Sequence, residues 1–132
     1  MTLPGTARVE AAPNFLANLE GAHAFFVLQD ADTAAARLAK LKSELREMVA
    51  ILSWSPGSGR PARFMGTKSA QTRLKTAAVE QLAEQAGLPS LREYVIDRHI
   101  VLYAHSDNTV VLLAIKHQRQ LIYAADTLPN TD

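Results

Sequence analysis

The chain has 132 residues, 48% of them apolar and 20% charged, with no cysteine and a formal net charge of +1. That length and apolar content describe one folded domain with a single core and argue against a disordered chain. The lack of cysteine excludes disulfide scaffolds, thiolate metal sites and a cysteine nucleophile.

Residues 1 to 6 read as a frayed start, and Arg8-Val9-Glu10 as a short strand stopped by Pro13. From Pro13 to Gln29, Phe15, Leu16, Leu19, Ala22 and Phe26 recur at three- and four-residue steps, which predicts an amphipathic helix. Pro13 suits its first turn, where no backbone donor is required. Asp30-Ala31-Asp32 makes a turn, and the side chain of Asp32 or Thr33 can cap a second helix. That helix runs to about Leu52, with Leu38, Leu41, Leu45, Met48, Val49 and Leu52 on one face. So short a connection favours an antiparallel helix pair.

Ser55-Pro56-Gly57-Ser58-Gly59 breaks the helical pattern. It lacks the GK[ST] ending of a phosphate-binding loop and does not lead from a strand into a helix. A third helix is predicted from about Ser69 to Ala86, with Leu74, Ala78 and Leu82 on one side. Gly87 supplies its left-handed end and Pro89 blocks continuation. The next segment reads as a strand, which argues against a helix-turn-helix DNA reader. Three strands follow, Leu91–Ile96, His99–His105 and Thr109–His117, the last two joined by a tight turn at Ser106-Asp107-Asn108. The last strand is nearly continuous in apolar residues, as a strand covered on both faces would be.

Candidate chemistry is sparse. His23, His99, His105 and His117 show no metal-ligand spacing, so no metal or other cofactor is expected. No GxSxG nucleophile motif is present. No apolar run approaches the ~20 residues of a bilayer-spanning helix. The N-terminus has no signal-peptide pattern, so a soluble, cytoplasmic protein is expected. Charge, however, is uneven: residues 60–119 hold nine basic and five acidic side chains, against five and six in residues 1–59. The basic group Arg60, Arg92, Arg98, Lys116, His117 and Arg119 hints at an anionic or acidic partner. Arginine suits planar pairing with carboxylate or phosphate, and His117 can offer a proton near neutral pH. Solvated strand ends would account for the same residues. Alternation places Arg92, Tyr94 and Ile96 on one face of their strand, and Leu91, Glu93 and Val95 on the other.

In order and spacing, several pieces resemble the ParE/RelE superfamily of toxins from type II toxin–antitoxin (plasmid stabilisation) modules. They are the helical hairpin of residues 13–52, Gly59-Arg60-Pro61, the segment Leu91–Ile96, Ile100-Val101-Leu102-Tyr103, Thr109–Ile115 and His117-Gln118-Arg119. The resemblance covers most of the chain. It implies an α+β fold with an N-terminal strand, an antiparallel helical hairpin and a three-stranded antiparallel meander. Residues 1–132 would form one such domain, with an extra helix inserted at about 66–90.

Two activities follow from that superfamily. ParE-like members poison DNA gyrase by binding, whereas RelE-like members are ribosome-dependent mRNA endoribonucleases. Ile100 stands where several nuclease members keep an arginine, and His117-Gln118-Arg119 where some place a histidine–tyrosine pair. The Gly-Arg-Pro and His-Gln-Arg features resemble the ParE side more. The resemblance therefore implies a gyrase-binding toxin neutralised by a small antitoxin laid over the helical hairpin, which can also pair with a sheet edge. Arg92, Arg98, Lys116, His117 and Arg119 would face the target, and Arg60 would anchor the loop after the second helix. On the nuclease reading, Arg98, two residues before Ile100 on the same strand face, joins His117 and Arg119 near the scissile phosphate, with ribosome and mRNA as partners. A third reading is a non-toxic interaction module of the same fold, as a homodimer through the insertion.

Overall fold

A computed structural model of the chain describes residues 7–62, 70–120 and 123–125. The expected frayed start, residues 1–6, and the first residues of the expected insertion, 66–69, lie outside them. The element order is β1 (Arg8–Ala11), α1 (Pro13–Gln29), α2 (Ala31–Trp54), a 3₁₀ turn (Pro56–Ser58) and β2 (Arg60–Pro61). It continues with α3 (Ala70–Ala86), β3 (Ser90–Ile96), β4 (His99–His105) and β5 (Thr109–His117). The architecture is the α+β arrangement expected: a strand, a helical hairpin, a further helix and a meander.

Periodicity explains the hairpin. Leu41, Leu45, Met48 and Leu52 recur at helical spacing on α2 and are all buried, as are Phe15 and Phe26 of α1. Burying a side chain of this size contributes roughly 1.5–3 kcal/mol, so this seam holds the helices to the sheet. Two boundaries differ from expectation. Asp30, not Asp32 or Thr33, caps α2: its carboxylate accepts from the Asp32 amide at 3.0 Å. The helix also runs to Trp54, whose indole is left exposed. Leu16, expected on the buried face of α1, is half exposed.

The sheet has five strands in the order β1-β5-β4-β3-β2, with β1 parallel to β5 and every other pair antiparallel. The expected meander is its centre. Arg60–Pro61, read as a loop, pairs with Arg92 and Glu93 as a fourth antiparallel member. Proline is tolerated there because an edge strand can forgo a donor.

A β-bulge accounts for the apolar run in β5. Leu102 faces Ala114 and Tyr103 faces Leu112, which leaves Leu113 as the extra residue. The bulge resets the alternation. Val110, Leu112 and Ile115 join the core under the hairpin, with Val101 and Tyr103. Leu113 and Ala114 join a second core with Ile100, Leu102, Val79 of α3, and Tyr123. The strand is covered on both faces, as its composition suggested. Gly87, at φ 66°, ends α3. Asp97, at φ 36°, and Arg98 form the turn between β3 and β4. Arg98 thus sits on a turn and not on the strand face expected for it.

Candidate functional site

The structure splits the six basic candidates among three places. At one end of the sheet lie Arg98, His117 and Arg119. The Gln118 amide donates to the Arg98 carbonyl at 2.8 Å, so the turn after β5 is tied to the turn before β4. His99 and His117 face each other across β4 and β5, their rings edge to face at 5.4 Å. Phe26 meets His99 edge-on at 6.3 Å, and the Arg37 guanidinium lies 4.2 Å over the Phe26 ring. A row of aromatic rings therefore runs from Phe26 of α1 across the sheet end, with Arg37 of α2 at one end and Arg119 at the other. His99 and Arg37 complete this group; neither stood out in the sequence, because strand pairing and helix packing bring them in.

The His117 Nδ1 accepts from the Arg119 amide at 3.1 Å, which puts the neutral ring's proton on Nε2. Burial, then the Arg119, Arg98 and Arg37 charges, hold the pKa of His117 below the usual histidine value. Burial and His117 likewise lower that of His99, against the opposing pull of Asp97. A folded state that resists protonation loses stability to an unfolded chain that accepts it. Stability is therefore expected to be level above the ordinary histidine pKa of 6.5 and to fall as pH drops below it. Urea midpoints at pH 7.5 and 5.5 measure this, and His99→Phe should shrink the difference.

Arg92 belongs to the opposite end of β3. Its Nε donates to His105 Nε2 at 3.1 Å and its Nη1 to the Gly59 carbonyl at 3.0 Å. The Tyr103 hydroxyl accepts from the Gly59 amide at 2.9 Å and donates to the Pro56 carbonyl at 2.7 Å. These bonds fasten the loop after α2 to the sheet.

The third place is the sheet face under α3, where Lys116 and Arg60 sit. Glu93 is only 4% exposed; the Tyr123 hydroxyl donates to it, and Arg60 Nε stands 3.4 Å from its carboxylate without hydrogen-bond geometry. The Lys116 ammonium lies 5.1 Å over the Tyr123 ring and donates to the Gln120 carbonyl at 2.8 Å. Burial lowers the Lys116 pKa, with Glu93 opposing, and burial with the Glu93 bond raises that of Tyr123. Strand alternation thus divides the Lys116–Arg119 knot: Lys116 points to this face, and His117 to the hairpin face. The signal for this cluster was a carboxylate among the apolar residues of one strand face, Leu91-Glu93-Val95.

The hairpin's outer surface carries exposed apolar side chains: Leu16, Phe25, Val27 and Leu28 on α1, and Ile51 and Trp54 on α2. Among the described residues, no helix is long and apolar enough to cross a membrane, and no three His, Asp or Glu gather to hold a metal ion.

The sequence model of the ParE toxin of the parDE type II toxin–antitoxin system matches residues 9–122. The chain belongs to the ParE toxin family. The ParE match runs from β1 to the segment beyond β5, so it takes in the hairpin, α3 and the whole meander. It stops one residue short of Tyr123. Membership of this ParE family implies the toxin part of a type II system and an antitoxin partner. No curated protein matches the chain.

Proposed function

We propose that this chain is a toxin that acts by binding DNA gyrase through the Arg98–His117–Arg119 end of its sheet. A small antitoxin would neutralise it by covering the helical hairpin. The observation that carries the binding reading is the state of the sheet's tyrosines. Tyr103 and Tyr123 are buried with their hydroxyls engaged, and Tyr94 packs against the core. Proton transfer at an RNA 2′-hydroxyl needs an accessible acid or base within hydrogen-bond reach, and the engaged hydroxyls of Tyr103 and Tyr123 offer none. By contrast, Arg98 and Arg119 are exposed on turns, without a carboxylate partner among the described residues. The exposed apolar residues of α1 and α2 support the antitoxin's place, since such faces mark interaction surfaces. Within this reading residues 1–132 act as one domain. The helix at the expected insertion, 66–90, covers the second sheet face: Val79 and Leu82 are buried there, which favours a packing role over a dimer contact.

A ribosome-dependent endoribonuclease is the second reading. The observation in its favour is His99, beside His117 and the arginines: burial favours its imidazole in the neutral, proton-accepting form.

Expression of the chain alone, and together with any small reading frame found beside its gene, tests both. Growth arrest relieved by the neighbour, with loss of gyrase supercoiling, is expected. Message cleavage on translating ribosomes would transfer the case to the nuclease, and absence of arrest to a non-toxic module. Joint replacement of Arg98 and Arg119 by alanine should weaken gyrase inhibition at least about tenfold, equivalent to about 1.4 kcal/mol. Both side chains are exposed, so the melting temperature should stay unchanged.

A further inference from the structure

We propose that the open edge of β1 pairs with β1 of a second copy of this chain, joining the two sheets across a two-fold axis at Val9. This goes beyond the gyrase reading and does not depend on it.

Backbone direction comes first. β1 is an outer strand of the sheet and pairs on one side only, with β5. The Arg8 amide donates to the Asn108 carbonyl at 3.0 Å, and the Ala12 amide to the Leu112 carbonyl at 2.8 Å. The hydrogen-bonding groups of successive strand residues point to opposite sides. Arg8, Glu10 and Ala12 therefore serve β5, whereas Val9 and Ala11 turn their amides and carbonyls outward. Among the described residues nothing takes these groups. The Ser53 carbonyl takes the Ala7 amide at 3.2 Å, which marks where the open stretch begins. At the other border of the sheet, β2 has two residues and one of them is Pro61, a short strand lacking a donor. β1 contains no proline and its ladder with β5 is regular, so those guards are missing from it.

Charge comes second. Arg8 and Glu10 flank Val9, both well exposed, with Arg8 Nε 3.0 Å from the Glu10 carboxylate on one face of the strand. Charges on an edge strand normally turn away an incoming strand. Here their order is its own complement. In an antiparallel pair centred on Val9, the two Val9 residues exchange both backbone bonds, and Arg8 of each copy stands opposite Glu10 of the other. Those flanking positions are the non-hydrogen-bonded kind, where facing side chains lie closest. Moving the axis by one residue would set the two Glu10 carboxylates face to face, so charge selects the register. A second copy supplies the matching alternation by symmetry alone. So short an edge makes a small interface, and the dimer should be weak and concentration-dependent.

Sedimentation velocity of the full chain over a concentration series tests this. Expected is a monomer–dimer equilibrium with a dissociation constant on the order of 0.1 mM. Arg8→Glu alone and Glu10→Arg alone each place like charges opposite one another and should weaken dimerisation at least about tenfold. Lys42→Glu, exposed on α2, should leave it unchanged. The exchange Arg8→Glu with Glu10→Arg restores opposite signs and should return the dimer, as should an equal mixture of the two single variants. The exchange also keeps both charges side by side within the chain, so it answers the question even where a single variant unfolds. In hydrogen exchange, the Val9 and Ala11 amides should gain protection as dimer accumulates. A chain that stays monomeric up to about 1 mM would overturn the proposal. A dimer indifferent to the single reversals would do so too, as would one not restored by the exchange, or one that leaves those two amides unprotected.

Discussion

Gly59→Ala is expected to destabilise the chain by about 3 kcal/mol or more, the upper range for forcing a methyl group into a filled interior. A Cβ at Gly59 would lie 2.5 Å from the Glu93 carbonyl oxygen, 2.7 Å from the Tyr103 hydroxyl and 2.9 Å from the Tyr103 ring. The first of these is backbone within a paired strand and cannot turn aside. The backbone at Gly59 is ordinarily extended, at φ −74°, so the demand is for space and not for an unusual conformation. Moving the loop would also break the bonds of Tyr103 to Gly59 and Pro56 and that of Arg92 to the Gly59 carbonyl. Gly21 provides the comparison, because nothing stands within 4 Å of its added Cβ. In mid-helix, Gly21→Ala should stabilise by roughly 0.5–1 kcal/mol. Chemical denaturation of the two variants reads both effects.

Tyr123 should show the second large effect. Its ring is 2% exposed within the core under α3, and its hydroxyl meets the buried Glu93 carboxylate. Tyr123→Phe retains the ring and removes a hydrogen bond to a charged group, at an expected cost of about 1.5–3 kcal/mol. Tyr123→Ala also empties the ring's place and should cost about 3–5 kcal/mol. The order Phe before Ala, by denaturant midpoint, checks the assignment. A Tyr123→Phe variant as stable as the parent chain would mean that the hydroxyl contributes nothing and that Glu93 is held by other groups. Limited proteolysis adds a local reading. Asn14 and Asn18 hold the Ala124 carbonyl at 2.8 and 3.3 Å, so release of Tyr123 should open the chain near its C-terminus before the hairpin.

Much of this fold is legible because its signals are local. The hairpin follows from apolar spacing in α1 and α2, and the three central strands from alternation and turn residues. What escaped depends on partners distant in sequence. Two residues have no period, so β2 could be found only from its pairing with Arg92 and Glu93. Asp30 caps α2 from the position where a turn was expected because its side chain reaches the Asp32 amide.

The site was legible in residue type and less so in place. Arginines and a histidine near the strand ends were visible, but which end each occupies is set by register. Register sends Arg92 toward His105 and brings His99 against His117. Lys116 leaves the group because successive residues of a strand face opposite ways. Tyr123 and Glu93, 30 positions apart, meet only when the chain crosses the second sheet face.

The far half of β5 has a consequence for any neutralising peptide. Beyond Leu112, where β1 ends its pairing, the border of the sheet is already stoppered by amide side chains. Asn14 takes the Leu113 carbonyl, Asn18 the Ile115 amide and Gln120 the His117 amide. An incoming strand would find these three backbone groups already taken, so the proposed seat of an inhibitor is the greasy helix surface instead of an extended ladder there.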